Sequence, residues 1–385
     1  MKKLAIITTH PIQYNAPWFR LLAQRRLITI KVFYTWGQLE KGAKYDPGFG
    51  TNVDWDIPLL DGYDHYFVKN IAPDPGSHHF KGIDNPTLTA EIEHWNPNAI
   101  LVFGWSFKSH LKALRYFKGK KKILFRGDSN LLDEKLGFSL KKTLRRVFLR
   151  WVYTHVDKAL YVGTANKEYY QEHGLKNAQL VFAPHAIDND RFMQHGSSNK
   201  REESGIPQGA IVFIFTGKFE TQKDPQLLLD AFIRLTDTNA HLLMVGSGEL
   251  EVQLKKKAGQ QPLEISSRIH FLPFQNQLKM PEIYRMGDVL VLPSKGETWG
   301  LAVNEAMACS KAVLVSDKCG CAVDLVEVGM NGFVFKSRDG NDLLKKMDIL
   351  LLNHQEIAGM GVRSLQIIQS WRFENICIAI EQSLA

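Results

Sequence analysis

Residues 290–308 read LVLPSKGETWGLAVNEAMA. The apolar run before Pro293 suits a buried strand, the apolar run after Gly300 suits a helix, and a polar turn with Gly296 and Gly300 joins them. A strand that feeds a helix through a glycine-bearing turn offers backbone N–H groups and a positive helix end to an anion. Glu297 lies in the turn and Glu305 on the helix, with seven residues between them. Eight residues of pure helix span about 12 Å. Carboxylates accept hydrogen bonds in pairs, and vicinal diols donate them in pairs. The pattern therefore suits a ligand with a diphosphate at its centre and hydroxyl-rich groups at both ends, such as a nucleotide-sugar. Taken as an isolated pair, the two glutamates read more simply as solvated surface charge. The rest of the chain decides between these readings.

Working outward, strand-like and helix-like segments alternate along both halves. In the first half strands are expected at 3–10, 28–34, 99–103, 122–125 and 158–162, with helices at 16–24, 109–117, 140–152 and 165–173. Residues 37–70 are rich in Gly, Asp and Tyr and read as a loop or hairpin region. QHGSSNKREESGIPQG, residues 194–209, is polar and reads as a linker. A second alternation follows it, with strands at 211–217, 241–246, 269–274, 289–294 and 312–316. Such alternation predicts an α/β fold of two doubly wound, Rossmann-like domains. The boundaries are 1–193 and 194–370, with the helical pattern of 371–385 packing back on the first domain. Ligands bind at the carboxyl ends of strands in such sheets, so the cleft between the domains is the expected site.

The chain of 385 residues is long enough for two cores, and its 44% apolar and 23% charged content is that of a globular protein. No apolar run approaches the roughly 20 residues that span a bilayer. The run Leu4–Ile7 is too short for a secretory core, which places the protein in the cytosol. The four cysteines, Cys309, Cys319, Cys321 and Cys377, have no zinc-site spacing and read as free thiols, so no metal is expected. The net charge of +8 is uneven. Residues 1–195 hold 28 Lys and Arg against 18 Asp and Glu, and the remainder 20 against 22. Between Lys108 and Arg150 there are 14 basic and 3 acidic residues. KKTLRRVFLRW, residues 141–151, is a basic amphipathic stretch suited to anionic lipid, nucleic acid or an acidic acceptor. An ordinary solvated helix is the plain alternative.

These motifs, in this order, resemble the retaining glycosyltransferases of family four, the bacterial glycosyl transferases of group 1, which have the GT-B double-Rossmann fold. PSKGETWGLAVNEAMA is similar to that family's Glu–seven–Glu motif, and FTGKFETQKD (residues 215–224) to its phosphate-binding strand and loop. LLMVGSGE, GDVLVLPS and VGMNGFVF supply the neighbouring segments. The resemblance covers nearly all of the second half. In the first half it rests on HPIQYNAPWFRLL and VFAPHAIDNDRF. Three departures stand out. Lys218 replaces the usual Arg, keeping charge but losing bidentate phosphate recognition. The Gly-Gly loop after the first strand is replaced by His10-Pro11-Ile12-Gln13-Tyr14. Arg126 stands where many members carry a histidine.

The resemblance implies transfer of a hexosyl or N-acetylhexosaminyl group, with retention, from a nucleoside diphosphate-sugar to an acceptor hydroxyl. No metal or cofactor is implied; a UDP-sugar is the favoured donor and a GDP-sugar the alternative. Glu297 would hold the sugar hydroxyls and Glu305 the ribose. Lys218, Lys223 and the helix start at Trp299, Gly300 and Leu301 would hold the diphosphate, with Gly217, Gly246, Phe274 and Thr298 lining the donor site. Glu297, Lys218, Lys223 and His10 are the candidate catalytic set. Asp128, His185, Asn189, Gly104 and Trp105 are first-half candidates for acceptor contact or for shaping the site. The implied partners are the donor, a carbohydrate or lipid-linked acceptor and an anionic membrane surface, with no nucleic acid. The implied setting is cell-surface polysaccharide or glycoconjugate assembly at the inner membrane face. Two rivals remain at this level: a nucleotide-sugar epimerase of the same fold, and a non-catalytic nucleotide-sugar or membrane-surface binding protein. Dinucleotide oxidoreduction is weaker, because no GxGxxG opens either half.

Overall fold

A computed structural model describes residues 1–37, 44–46, 51–132, 134, 139–194 and 200–385. The chain forms two compact units. The first comprises Met1–Lys44, Ile57–His185 and Phe373–Ala385; the second comprises Tyr45–Asp56 and Ala186–Arg372.

The first unit contains strands β1 (Lys2–Thr8) and β2 (Ile28–Tyr34). Next in the chain is a small two-stranded sheet, β3 (Lys44–Asp46) with β4 (Thr51–Val53), which apart from Lys44 belongs to the second unit. Then come β5 (Asp64–Phe67), β6 (Ala99–Phe103), β7 (Lys122–Arg126), β8 (Lys158–Tyr161) and β9 (Leu180–Phe182). The main sheet runs β5-β2-β1-β6-β7-β8-β9, with every pairing parallel. Parallel strands need covered faces, which is why LAII in β1 and AILV in β6 are continuously apolar and buried. Among the elements not read in the sequence are the helix Leu88–Trp95 and β5. The latter, DHYF, alternates exposed and half-buried residues as an edge strand does, within a stretch expected to be loop. Part of that expected loop or hairpin lies outside the described residues.

The last helix, Phe373–Leu384, belongs to this first unit and packs on the helix Ala16–Gln24. Arg25 grips Glu381 with two bonds of 2.7 Å, and the Cys377 thiol meets the Trp18 carbonyl at 3.8 Å.

The second unit contains β10 (Ile211–Thr216), β11 (Ala240–Val245), β12 (Ile269–Leu272), β13 (Val289–Leu292), β14 (Ala312–Ser316) and β15 (Gly332–Phe335), ordered β12-β11-β10-β13-β14-β15 and parallel throughout. The strand order therefore reverses beside the unit's first strand, between β10 and β13, as it does between β1 and β6 in the first unit. In open sheets of this kind the crevice at the carboxyl ends of those two strands takes ligands. Of the expected linker, residues 195–199 lie outside the description and Lys200–Glu203 form a short helix. Arg201 anchors that helix to the second unit through Asp288 and the Met286 carbonyl, both at 2.8 Å. Among the described residues, no helix is long and apolar enough to cross a membrane.

Candidate functional site

The reversal between β10 and β13 brings Lys223, Asp224, Lys295 and Glu297 of the second unit together. β10 ends at Thr216, and the chain turns through Gly217 into Lys218–Asp224 before the helix Pro225–Ile233. β13 ends at Leu292 and continues through Pro293–Gly300 into the helix Leu301–Ala308. The two turns are laced together. Lys295 N donates to the Gln222 carbonyl at 2.8 Å, and the Gln222 amide donates to the Gly296 carbonyl at 3.0 Å. Lys295 also pairs with Asp224 at 3.2 Å.

This lacing brings Lys223 into direct contact with Glu297, whose Oε1 also accepts from Ser294 Oγ at 3.0 Å. The Glu297 backbone is held as well: its N–H donates to the Lys318 carbonyl at 2.9 Å and its carbonyl accepts from Gly320 N at 3.1 Å. Its side chain is 14% exposed, so the carboxylate is shielded without being sealed from solvent.

The other glutamate is held differently. Glu305 is 3% exposed, well inside the protein, against the simple expectation for a helix charge. Its Oε2 accepts from the Tyr284 hydroxyl at 2.7 Å, and that hydroxyl meets Thr216 Oγ1 at 2.7 Å. A buried carboxylate needs such partners, since desolvation without them costs several kcal/mol. Thr216 is the last residue of β10, so the bonds run from Glu305 to the strand end that bears Gly217. Tyr284, on the helix Met280–Arg285, was not read in the sequence. Its partners are 68 and 21 residues away, and no local pattern marks it.

Two glycines shape the strand ends. At Gly246, which follows β11 with φ 146°, a Cβ would lie 1.9 Å from the Gly217 carbonyl oxygen. Gly300 starts the helix Leu301–Ala308 with φ 105°, where a Cβ would meet the Leu292 side chain at 2.9 Å. Trp299 donates from Nε1 to Asn304 Oδ1 at 2.8 Å and packs its ring on Trp371, fixing the approach to that helix. Thr298 is exposed, and Lys218 is half-buried beside Gly217. Phe274 sits 6.4 Å from the ring of Trp55. Burial raises the thiols of Cys319 and Cys321, which keeps them protonated.

In the first unit, His10 follows β1 at the corresponding reversal. Its Nδ1 lies 3.0 Å from Thr9 Oγ1 and its ring meets the Trp36 ring edgewise. Asp128 and His185 face one another at 3.8 Å; burial lowers the histidine pKa and Asp128 opposes that shift. Arg126 is buried and donates to the carbonyls of Ala183 (2.7 Å) and Pro184 (2.9 Å), so it braces the segment after β9; burial lowers its pKa to about 10. Asn189, in the second unit, likewise braces backbone, donating to the carbonyls of Ile368 and Trp371. Gly104 has φ 69°, and Trp105 packs on Phe148. Among the described residues, Asp74, His78 and His79 bring one potential metal-ligand atom each within 4.8 Å of the others, in a largely exposed loop.

Residues 197–361 match the family of glycosyl transferases group 1. The chain is 29% identical over 216 residues to a D-inositol 3-phosphate glycosyltransferase of Geodermatophilus obscurus, covering 53% of this chain and 47% of that protein. It is 26% identical over 244 residues to an uncharacterized glycosyltransferase of Methanocaldococcus jannaschii, covering 63% and 64%. The matches to the D-inositol 3-phosphate glycosyltransferases span about half the length of those relatives or less. Among solved structures, sucrose-phosphate synthase from Thermosynechococcus elongatus superposes with a TM-score of 0.75 at 16% identity, over 99% of this chain and 98% of that one. Anabaena Alr3699/HepE in complex with UDP and glucose superposes with a TM-score of 0.72 at 18% identity, over 100% and 99%.

Proposed function

We propose a function that proceeds from family membership: this chain belongs to the group 1 glycosyl transferases and carries the GT-B fold. Its reaction is transfer of a hexosyl or N-acetylhexosaminyl group from a nucleoside diphosphate-sugar to an acceptor hydroxyl, with retention and without a metal or cofactor. The observation that carries this reading is the pair of carboxylates at the β10/β13 reversal. Glu297 is tethered to Lys223 and Ser294, and Glu305 is held by Tyr284.

The chemistry follows from where charge grows. When the glycosidic bond breaks, negative charge accumulates on the departing diphosphate, and fixed cations and amides aimed there lower the barrier. Lys218, Lys223 and the N-terminus of Leu301–Ala308 supply them. A donor would compete with Glu297 for Lys223, drawing the ammonium to phosphate while the sugar hydroxyls take the carboxylate. Glu305 accepts from the ribose hydroxyls at the other end. His10 serves the acceptor side of the reaction. UDP is the favoured nucleotide; the Anabaena relative of this fold was crystallised with UDP and glucose. The acceptor is a carbohydrate or lipid-linked hydroxyl, in cell-surface polysaccharide or glycoconjugate assembly at the cytoplasmic face of a membrane. The basic first half supports that setting.

Thermal shift with a panel of UDP- and GDP-sugars tests the donor, because a ligand that binds the folded state raises the transition by mass action. Calorimetry with Glu305→Ala then tests the ribose contact; affinity unchanged from the parent chain sinks it. A donor whose sugar changes configuration without an acceptor would identify an epimerase instead.

A further inference from the structure

We propose that the helix Leu140–Tyr153 docks the first unit on an anionic lipid surface through an apolar stripe bordered by cations. This deepens the membrane setting proposed above and does not depend on the identity of the donor.

A helix flanking a parallel sheet needs one apolar face. Here Leu149, Val152 and Tyr153 supply it, buried in the first unit's core. The same helix carries a second apolar face that stays largely exposed among the described residues. Leu140, Leu144 and Val147 are 68%, 62% and 61% exposed, and Phe148 and Trp151 are 38% and 40% exposed. At about 100° per residue, these five side chains share an arc about 100° wide. The arc points away from the core face. Lys141 and Arg145 border it on one side, Arg146 and Arg150 on the other. A solvated surface helix carries polar residues where this one carries five large apolar ones.

The surroundings match the layers of a membrane surface. Phe148 lies 5.3 Å from the Trp105 ring and 5.6 Å from Trp151, and Trp151 is approached by Arg115 at 5.8 Å and His155 at 5.1 Å. Aromatic rings with a polar rim settle at the headgroup level, while aliphatic tips go deeper. Glu134 is shared among Lys142 (3.0 Å), Arg146 (3.5 Å) and Arg145 (4.0 Å), and Glu172 also pairs with Arg146 (2.9 Å), so among the described residues Lys141 and Arg150 add to a cationic excess on the helix. Between Lys108 and Arg150 the sequence holds 14 basic and 3 acidic residues, which calls for an anionic partner.

Other occupants fit less well. A second copy meeting this face in a symmetric dimer would set the same cations against each other along both edges. A nucleic acid would place its phosphates over the apolar stripe rather than the flanking charges.

Sedimentation of the full chain with phosphatidylcholine vesicles, with and without phosphatidylglycerol, tests the proposal. We expect partition onto the phosphatidylglycerol vesicles that weakens with salt. The Leu144→Asp/Val147→Asp double variant should lower it by about tenfold or more. Lys141→Gln/Arg145→Gln should lower it and flatten the salt dependence. Both pairs are exposed, so the variants should melt with the parent chain and bind UDP as the parent does. That keeps the result separate from any failure of the donor reading. The proposal is overturned by no partition at low salt, by equal partition with and without phosphatidylglycerol, or by partition that ignores Leu144→Asp/Val147→Asp. It also fails if that variant instead dissociates a dimer seen by analytical ultracentrifugation in a parent chain that leaves vesicles unbound.

Discussion

The Tyr284 hydroxyl donates to Glu305 Oε2 at 2.7 Å, with the tyrosine wholly buried and the glutamate 3% exposed. A carboxylate in that position depends on its donor. Tyr284→Phe removes one hydroxyl and leaves the ring's volume. The loss should cost about 1–3 kcal/mol, because a buried acceptor is left short of a partner. Urea unfolding measures this. Calorimetry with UDP should show weaker binding in the same variant, since Glu305 then loses one of the bonds that orient it. A variant as stable and as tight-binding as the parent would refute the positioning role.

Lys223→Ala separates stability from turnover. Its ion pair with Glu297 is partly exposed, 27% and 14% by side chain, so folding should lose only about 1 kcal/mol. If the ammonium moves onto the departing diphosphate, turnover should fall by about 10²- to 10³-fold, as when one preorganised donor is removed from a site of growing charge. Steady-state kinetics and thermal melting on one preparation give both numbers. Equal turnover in the two proteins would confine Lys223 to an architectural part.

Gly246→Ala and Gly217→Ala form a controlled comparison. Both residues have high positive φ, 146° and 151°. A Cβ at Gly246 would press on the Gly217 carbonyl oxygen at 1.9 Å, whereas one at Gly217 meets only the Phe215 ring at 3.6 Å. The Gly246 change should cost at least about 2 kcal/mol more than the Gly217 change, because backbone must move. Melting temperatures rank them, and the reverse order would contradict the close approach.

Two buried histidines set an acid limit. His110 is wholly buried, bonded to the Phe103 carbonyl at 2.8 Å and Thr35 Oγ1 at 2.9 Å, and burial lowers its pKa to about 4. His241, whose ring stacks on His270 with nitrogens 2.9 Å apart, is likewise lowered to about 4, by burial first and His270 second. Both bind protons more readily unfolded, near pH 6.5, than folded. Their contribution is therefore complete above about pH 6.5 and is lost as pH falls toward 4. Urea midpoints at pH 7, 5.5 and 4.5 should decline in that order, and His110→Gln should flatten the decline.

Much of the second unit can be read in one sequence because its signals are local. IVFIFT and AVLVS are apolar runs between turn residues, and Pro225 opens its helix where φ is already set. Glu297 and Glu305 could be singled out by spacing. What holds them could not: Tyr284 reaches Glu305 only through the packing of two helices, and Ser294 is a small polar residue in a turn of polar residues. β5 escaped notice because an edge strand needs only one apolar face, and its four residues include a histidine and an aspartate. The basic stretch at 141–151 was visible as charge, but that its second apolar face stays largely exposed among the described residues is a fact of the folded helix.

The placement of Phe373–Leu384 within the first unit has a consequence for synthesis. The helix Ala16–Gln24 is translated before residues 186–372, but the segment that covers it is translated after them. Residues 186–372 intervene, and at about 5–20 residues per second they take about 10–40 s to make. During that interval the nascent chain holds an apolar helix face without its cover, while the later-made second unit already has all its strands. The first unit is thus completed only after the second, and a chain that stops short of Phe373 should expose its fault far from the break in sequence, around Trp18 and Arg25.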